Sequence, residues 1–306
     1  MKWMIVYVDS GWILSRIAQR IYAVAPPGSW LQPLGEVASI KYHYAPDVVL
    51  YVDVQGCWHP EWKEKFPTAQ HIGFFTHVDQ DNFRTLYPRW KAYLELDGIV
   101  HMCQRYADMF AAAGYPAERQ RVIPAADVNH WAIKPLRLGV FQRGGFPGKG
   151  DGFLQAAMDV LPTAITSHVR LYLKGTGWTK STFRPDLHVT VDITEGYQSY
   201  QAAYDAVDYV LIPSLWEGGP MGFVEALAQG RSIIAADVGW VKDIGGAEHV
   251  FPPGDEDALA HIIESLIQER TDRRDRVAGL SYMQWMEDAT ELISTLLPKG
   301  EDYAIA

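Results

Sequence analysis

Short apolar runs alternate with amphipathic helical patterns from one end of the chain to the other, and that alternation admits little besides parallel sheets covered by helices on both faces. WMIVYV (3–8) reads as a buried strand, Asp9-Ser10-Gly11 as a tight turn, and the pattern after it as an amphipathic helix ending near Ala25, before Pro26-Pro27-Gly28. Further strands are expected at 47–54, 71–75, 96–102 and 121–124, with a helix over QRYADMFAAAG closed by Gly114. The pattern pauses at NHWAIKP (129–135) and restarts with LRLGVFQ (136–142). Strands then follow at 169–175, 187–193, 209–214 and 232–237, with helices at 151–160, 198–207, 220–229 and 256–268. We therefore expect two α/β domains, 1–133 and 134–306, each doubly wound and Rossmann-like; 306 residues suffice for two cores. A last helix at about 282–297 carries Trp285, Ala289, Leu292, Ile293 and Leu296 on one stripe.

A formal charge of −10 argues against a protein that coats nucleic acid, which needs a basic face for the phosphates. Cys57 and Cys103 stand in neither metal-ligand nor redox spacing and read as free thiols of a reducing, cytoplasmic compartment. The N-terminus imitates a signal peptide, but Asp9, Arg16 and Arg20 interrupt the apolar core such a segment needs. No run reaches the ~18 apolar residues of a membrane span. Trp12, Ile13, Arg16 and Arg20 leave weak peripheral membrane contact open, against the commoner reading of such a stripe as core.

In doubly wound domains ligands bind beyond the carboxyl ends of the strands, where backbone amides and helix N-termini converge. PSLWEGGPMGFVEALAQG (213–230) lies at such a place. Gly219 reads as an N-cap with Pro220 at the first helical position, and Gly230 ends the helix. The leading N–H groups, from Met221 to Phe223, suit an anion such as phosphate. Glu217 precedes that anion site and Glu225 lies two turns into the helix. Carboxylates beside a diphosphate make sense if they accept hydrogen bonds from sugar or ribose hydroxyls; the plainer alternative is a solvated loop residue and a surface helix residue.

VFQRGGFPGKG (140–150) follows the second half's first strand and carries Arg143 and Lys149 around a loop at the same sheet edge. Two cations there would face the diphosphate, each charge-assisted bond being worth roughly 1.5–3 kcal/mol. The loop is not a P-loop: Arg143 stands where its first glycine belongs, and Gly150 replaces the magnesium-binding Ser/Thr. KGTG (174–177) adds a Gly-x-Gly turn at that edge, with Gly175 as a contact candidate. Asp79-Gln80-Asp81 forms a D-x-D that reads as a solvated turn, and no metal site is assigned.

Taken in order, these residues resemble the retaining glycosyltransferases of the GT-B fold, family 4 type. The resemblance covers most of the chain: the E-x7-E pair Glu217/Glu225 with EALAQG, Arg143/Lys149 with KGDGFLQA, LKGTG, VIPAADVNHW (122–131) and AADVGWVKDIGGAEHVFPPGDEDALAHII (235–263). It implies two Rossmann-like domains facing across a cleft, with the last helix crossing back to the first. It implies a nucleotide-diphosphate-sugar donor of unspecified base and a glycan, lipid-linked or small-molecule acceptor. Transfer would retain configuration and need no metal or cofactor. Glu225 would bind the ribose, Glu217 and the backbone of Gly218, Gly219, Met221 and Gly222 the transferred sugar, and Arg143 and Lys149 the leaving diphosphate. Ser10-Gly11 matches the family's Gly-rich turn near the phosphates, and His77 in FFTHVD a histidine bordering the sugar. The chain departs from the pattern at three places: Ser10 and Gln142 replace usual glycines, and Gly219-Pro220 stands where many members have Phe-Gly. The glycine departures add weight to a catalytically silent nucleotide-sugar-binding or partner subunit, and a sugar-nucleotide epimerase of similar architecture is the rival enzyme.

Overall fold

The computed structural model describes residues 1–8, 13–34, 45–52, 61–76, 92–128 and 131–296. Ser10, Gly11, Trp12, Cys57, His77 and the D-x-D at 79–81 lie outside them. The chain divides into two compact units, Met1–Trp131 with Val277–Ala306, and Ala132–Arg276. Each is Rossmann-like and built on a six-stranded parallel sheet.

The first sheet comprises β1 (Trp3–Tyr7), β2 (Trp30–Pro33), β3 (Val48–Tyr51), β4 (Gln70–Phe75), β5 (Gly98–His101) and β6 (Gln120–Val122), in the order β2-β1-β3-β4-β5-β6. Period-two alternation splits its apolar residues between two faces. Trp3, Ile5, Val48 and Leu50 join one core cluster, while Met4, Val6, Val49 and Tyr51 join the other. Helix α1 (Ile13–Val24) covers the first face with Leu14, Ile17, Ala18 and Ile21, a stripe at helical spacing. The apolar stripe of this helix is thus core, leaving Ile13, Arg16 and Arg20 outward. Helices α2 (Glu61–Lys65) and α3 (Gln104–Ala112) bring Trp62 and Phe110 to the second face.

The second sheet comprises β7 (Leu136–Phe141), β8 (Val169–Lys174), β9 (His188–Asp192), β10 (Tyr209–Ile212), β11 (Ser232–Ala236) and β12 (His249–Phe251), ordered β12-β11-β10-β7-β8-β9. Its helices are α4 (Asp151–Val160), α5 (Thr163–Thr166), α6 (Tyr197–Asp205), α7 (Met221–Ala228), α8 (Val241–Ile244) and α9 (Glu256–Asp275). From β7 the chain runs outward through β8 and β9, then returns to the other side of β7 with β10. Neighbours β7 and β10 therefore frame a switch point, where the loops beyond their carboxyl ends diverge and open a crevice.

The last helix, α10 (Tyr282–Leu296), completes the first unit's core. Trp285, Ala289, Leu292 and Ile293 are fully buried, and the Trp285 ring meets Phe74 edge-on at 5.3 Å. Burying such side chains contributes roughly 1.5–3 kcal/mol each, enough to hold the chain's return to the unit it left. Among the described residues no helix is long and apolar enough to cross a membrane.

Candidate active site

The loops after β7 and β10 meet at the switch point, and a glycine sets how closely. Gly150 has φ 75°, and a Cβ placed on it would lie 1.9 Å from the Pro213 carbonyl oxygen. Only a residue without a side chain lets the 3-10 turn Pro147–Lys149 approach the end of β10. Gln142 ties the same turn, donating from Nε2 to the Lys149 carbonyl at 2.6 Å, and its own carbonyl accepts from Trp178 Nε1 at 2.7 Å.

Lys149 Nζ consequently lies 2.6 Å from Glu217 Oε1. The Ser214 hydroxyl is also 2.6 Å from that oxygen and 3.2 Å from Gln142 Oε1, so its single proton goes to the carboxylate. Glu217 is only 12% exposed and Lys149 26%. The plainer expectation of a solvated loop glutamate is thereby corrected: the carboxylate is neutralised by a lysine on the facing loop. Its Oε2 has no partner among the described residues. Arg143 is exposed and sits with its guanidinium carbon 5.8 Å from the centre of the Phe146 ring.

Helix α7 starts one residue later than expected. Pro220, at φ −72° and ψ 116°, is its cap, and Met221 its first helical residue. The Phe223 N–H is taken by the Pro220 carbonyl at 3.1 Å, whereas those of Met221 and Gly222 have no backbone partner among the described residues. Two amides, not three, are thus left for an anion. Gly219 lies beneath the Trp240 ring, which a Cβ there would meet at 2.3 Å, while a Cβ on Gly218 would face open space. At Gly222 a Cβ would come no nearer than 3.4 Å to the Phe141 carbonyl.

Glu225 belongs to a separate cluster one turn further along. Its Oε2 accepts from the Tyr204 hydroxyl at 2.8 Å. Burial first, and the Glu225 carboxylate second, raise the Tyr204 pKa far above the ordinary phenol value, so the hydroxyl stays a donor. A cavity of about 350 Å³ opens beside this pair, lined by Phe141, Tyr197, Tyr200, Gln201, Tyr204 and Glu225 among others. Its aromatic walls suit a planar ring, and the Glu225 carboxylate beside them suits a hydroxyl donor. Gly175, with φ 130°, has a packing reason to be glycine: a Cβ would meet the Gln142 carbonyl oxygen at 2.5 Å.

The fold therefore joins Lys149 to Glu217 and sets Glu225 with Tyr204. Sequence reasoning passed over Ser214, Tyr204 and Trp178, and noticed Gln142 only as a missing glycine. A polar residue one or two positions past the end of an apolar strand, as Gln142 and Ser214 are, is the signal that identifies such groups.

Two substitutions on adjacent turns separate the geometric claim from general sensitivity. Gly150→Ala is expected to cost more than the about 1–3 kcal/mol of backbone strain alone, because the Pro213 carbonyl must also move. Gly152→Ala, in α4 with no atom within 4 Å of the added Cβ, is expected to add roughly 0.5–1 kcal/mol. Urea unfolding of both variants measures the difference, and equal stabilities would contradict the close approach at Gly150.

Residues 144–269 match the sequence model of the family described as Glycosyl transferases group 1. The match lies within the second unit and supports a glycosyltransferase domain there. No curated protein matches the chain. Solved structures similar to it include Anabaena Alr3699/HepE in complex with UDP-glucose, 15% identical with a TM-score of 0.43, over 96% of this chain and 100% of that one. The lipopolysaccharide outer core galactosyltransferase WaaB in its apo form is 14% identical with a TM-score of 0.39, over 97% and 100% of the two chains. The catalytic domain of Arabidopsis thaliana Starch Synthase IV bound to ADP and acarbose is 13% identical with a TM-score of 0.37, over 85% and 74%.

Proposed function

We propose that this protein transfers a sugar from a nucleotide-diphosphate-sugar to an acceptor hydroxyl with retention of configuration and without a metal. The observation that carries the reading is the Lys149–Glu217 pair at the β7/β10 switch point, whose glutamate lies in the loop that leads to the free amides of α7. A diphosphate bound by those amides would meet Lys149 and Arg143, and the ion pair answers why a carboxylate is tolerated so near: its charge is already matched.

In this reading Glu225, its Oε2 held by Tyr204, accepts from the ribose hydroxyls through Oε1, and the aromatic cavity beside it takes the base. Glu217 offers Oε2 to a hydroxyl of the transferred sugar, beside the backbone of Gly218 to Gly222. The bond from the anomeric carbon to the diphosphate oxygen breaks as the acceptor oxygen bonds the same face of that carbon. The acceptor's proton passes to a phosphate oxygen. Lys149, Arg143 and the amides of Met221 and Gly222 stabilise the leaving charge. Ser10, Gly11 and His77 keep the roles the resemblance implies, near the phosphates and beside the sugar.

The test is a thermal-shift screen with UDP-, GDP-, ADP- and dTDP-sugars, followed by turnover with and without glycan acceptors. A ligand at 100 times its Kd adds about 2.7 kcal/mol of stability. Glu225→Gln is expected to weaken the preferred nucleotide about 10- to 100-fold, matching a lost charge-assisted bond of roughly 1.5–3 kcal/mol. It should leave the 2′,3′-dideoxy analogue's affinity unchanged. Equal losses for both nucleotides would remove Glu225 from the ribose site, and no stabilisation by any of the donors would remove the reading itself.

A further inference from the structure

Lys174 closes β8 and is wholly buried. All three ammonium hydrogens have acceptors: Asp192 Oδ2 at 2.7 Å, the Thr194 carbonyl at 2.8 Å and Ser199 Oγ at 2.6 Å. The Tyr200 ring centre lies 4.9 Å from Nζ, within cation–π range. Asp192 accepts in addition from the Tyr172 hydroxyl at 2.5 Å and the Thr194 N–H at 2.8 Å. Those bonds, that from Lys174 foremost, hold its carboxyl well below the usual carboxylate range.

Removing an ammonium from water is costly, and an apolar side chain would fill the end of a strand without that cost. What the charge adds is position. A methionine here would pack, but it would bond none of the acceptors, which span residues 192 to 199 and include the start of α6. That helix presents Tyr197, Tyr200, Gln201 and Tyr204 to the cavity beside Glu225. We propose that Lys174 is a positioning residue that fixes the β9–α6 connection and thereby sets the aromatic wall of the cavity. The inference rests on the proposed function only for what the cavity holds.

The test compares wild type, Lys174→Met and Ser199→Ala as the full chain. Hydrogen exchange is measured over 193–204, and affinity for inorganic pyrophosphate and for whichever of UDP, GDP, ADP and dTDP wild type binds best. Lys174→Met is expected to speed exchange over 193–204 at least 10-fold, with β7 and α9 unchanged. The nucleotide should weaken at least 10-fold and pyrophosphate less than twofold. Ser199→Ala, which removes one acceptor and leaves the charge paired, should move the same readouts about threefold and decides the matter if Lys174→Met does not fold. Unchanged exchange over 193–204, or equal loss of nucleotide and pyrophosphate, overturns the assignment. If wild type binds no nucleotide the donor reading falls, and exchange alone decides the role of Lys174.

Discussion

Lys149→Ala is expected to slow sugar transfer by about 100- to 1000-fold, the ~2.7–4 kcal/mol that one preorganised donor to a developing anion typically supplies. Two effects add. The substitution removes a cation from the leaving diphosphate, and it strips Glu217 of the partner 2.6 Å from its Oε1. An uncompensated carboxylate is left beside the diphosphate, and its repulsion weakens binding of the donor already in the ground state. The turn itself should survive, because Gln142 bonds the backbone carbonyl of residue 149, and Gly150 is untouched. Adding Glu217→Gln to Lys149→Ala should recover part of the lost donor affinity, since members of one ion pair act non-additively. Single-turnover rates and donor Kd for the two single variants and the double variant measure both effects. A native rate in Lys149→Ala would remove the lysine from the chemistry.

That ion pair was the part of the site least open to sequence reasoning. Lys149 and Glu217 are 68 residues apart, and their meeting depends on β10 returning to β7 across the switch point. Composition at each loop identified the charges, whereas strand order decided that they neutralise each other. Tyr204 escaped for a related reason. It reads as one more apolar residue of an amphipathic helix, and only the packing of α6 against α7 reveals that its hydroxyl reaches Glu225.

The sheets themselves were far more legible, because central parallel strands are buried on both faces and appear as unbroken apolar runs. VVLY of β3 and LGVF (138–141) of β7 are such runs. The misses lie where that signal weakens. β2 is a four-residue edge strand ending in Pro33, which lacks the amide a central position would use, and β12 is a three-residue edge strand. Helix α9 runs on to Asp275, past the expected end at 268, because QERTDRRD keeps good helix formers after the last buried residue, Ile267. Periodicity marks where a helix is held by the core, not where its solvated end frays.

Stability is expected to fall as the pH drops from about 6.5 to 4, and the cause lies in the first unit. His101 ends β5 with no exposed surface. Its Nε2 lies 2.8 Å from the Gln120 side-chain oxygen and so carries the proton, while Nδ1 is buried with no partner among the described residues. A second proton would charge a ring that has no acceptor for it. Burial accordingly lowers the His101 pKa to about 4, with Gln120 opposing only in part. His71 is held neutral in the same way, its Nδ1 facing the Tyr51 hydroxyl at 2.7 Å and its Nε2 the Phe66 carbonyl at 3.0 Å, and its pKa is lowered chiefly by burial. Between pH 6.5 and 4 the unfolded chain binds protons that the folded one refuses, so the stability present above 6.5 is progressively lost on acidification. For His101 the loss amounts to about 3 kcal/mol. Asp192, lowered by its bonds from Lys174 and Tyr172, and Asp208, where burial is outweighed by the bonds from Arg137 and Arg270, contribute mainly below about pH 4, at the acid end of that window. His101→Phe, set between the Phe75 and Phe110 rings, should remove about one proton from the slope. Urea midpoints of wild type and variant at half-unit intervals from pH 7 to 4 measure it; a wild-type curve flat across that range would mean that the folded state admits the charged imidazole after all.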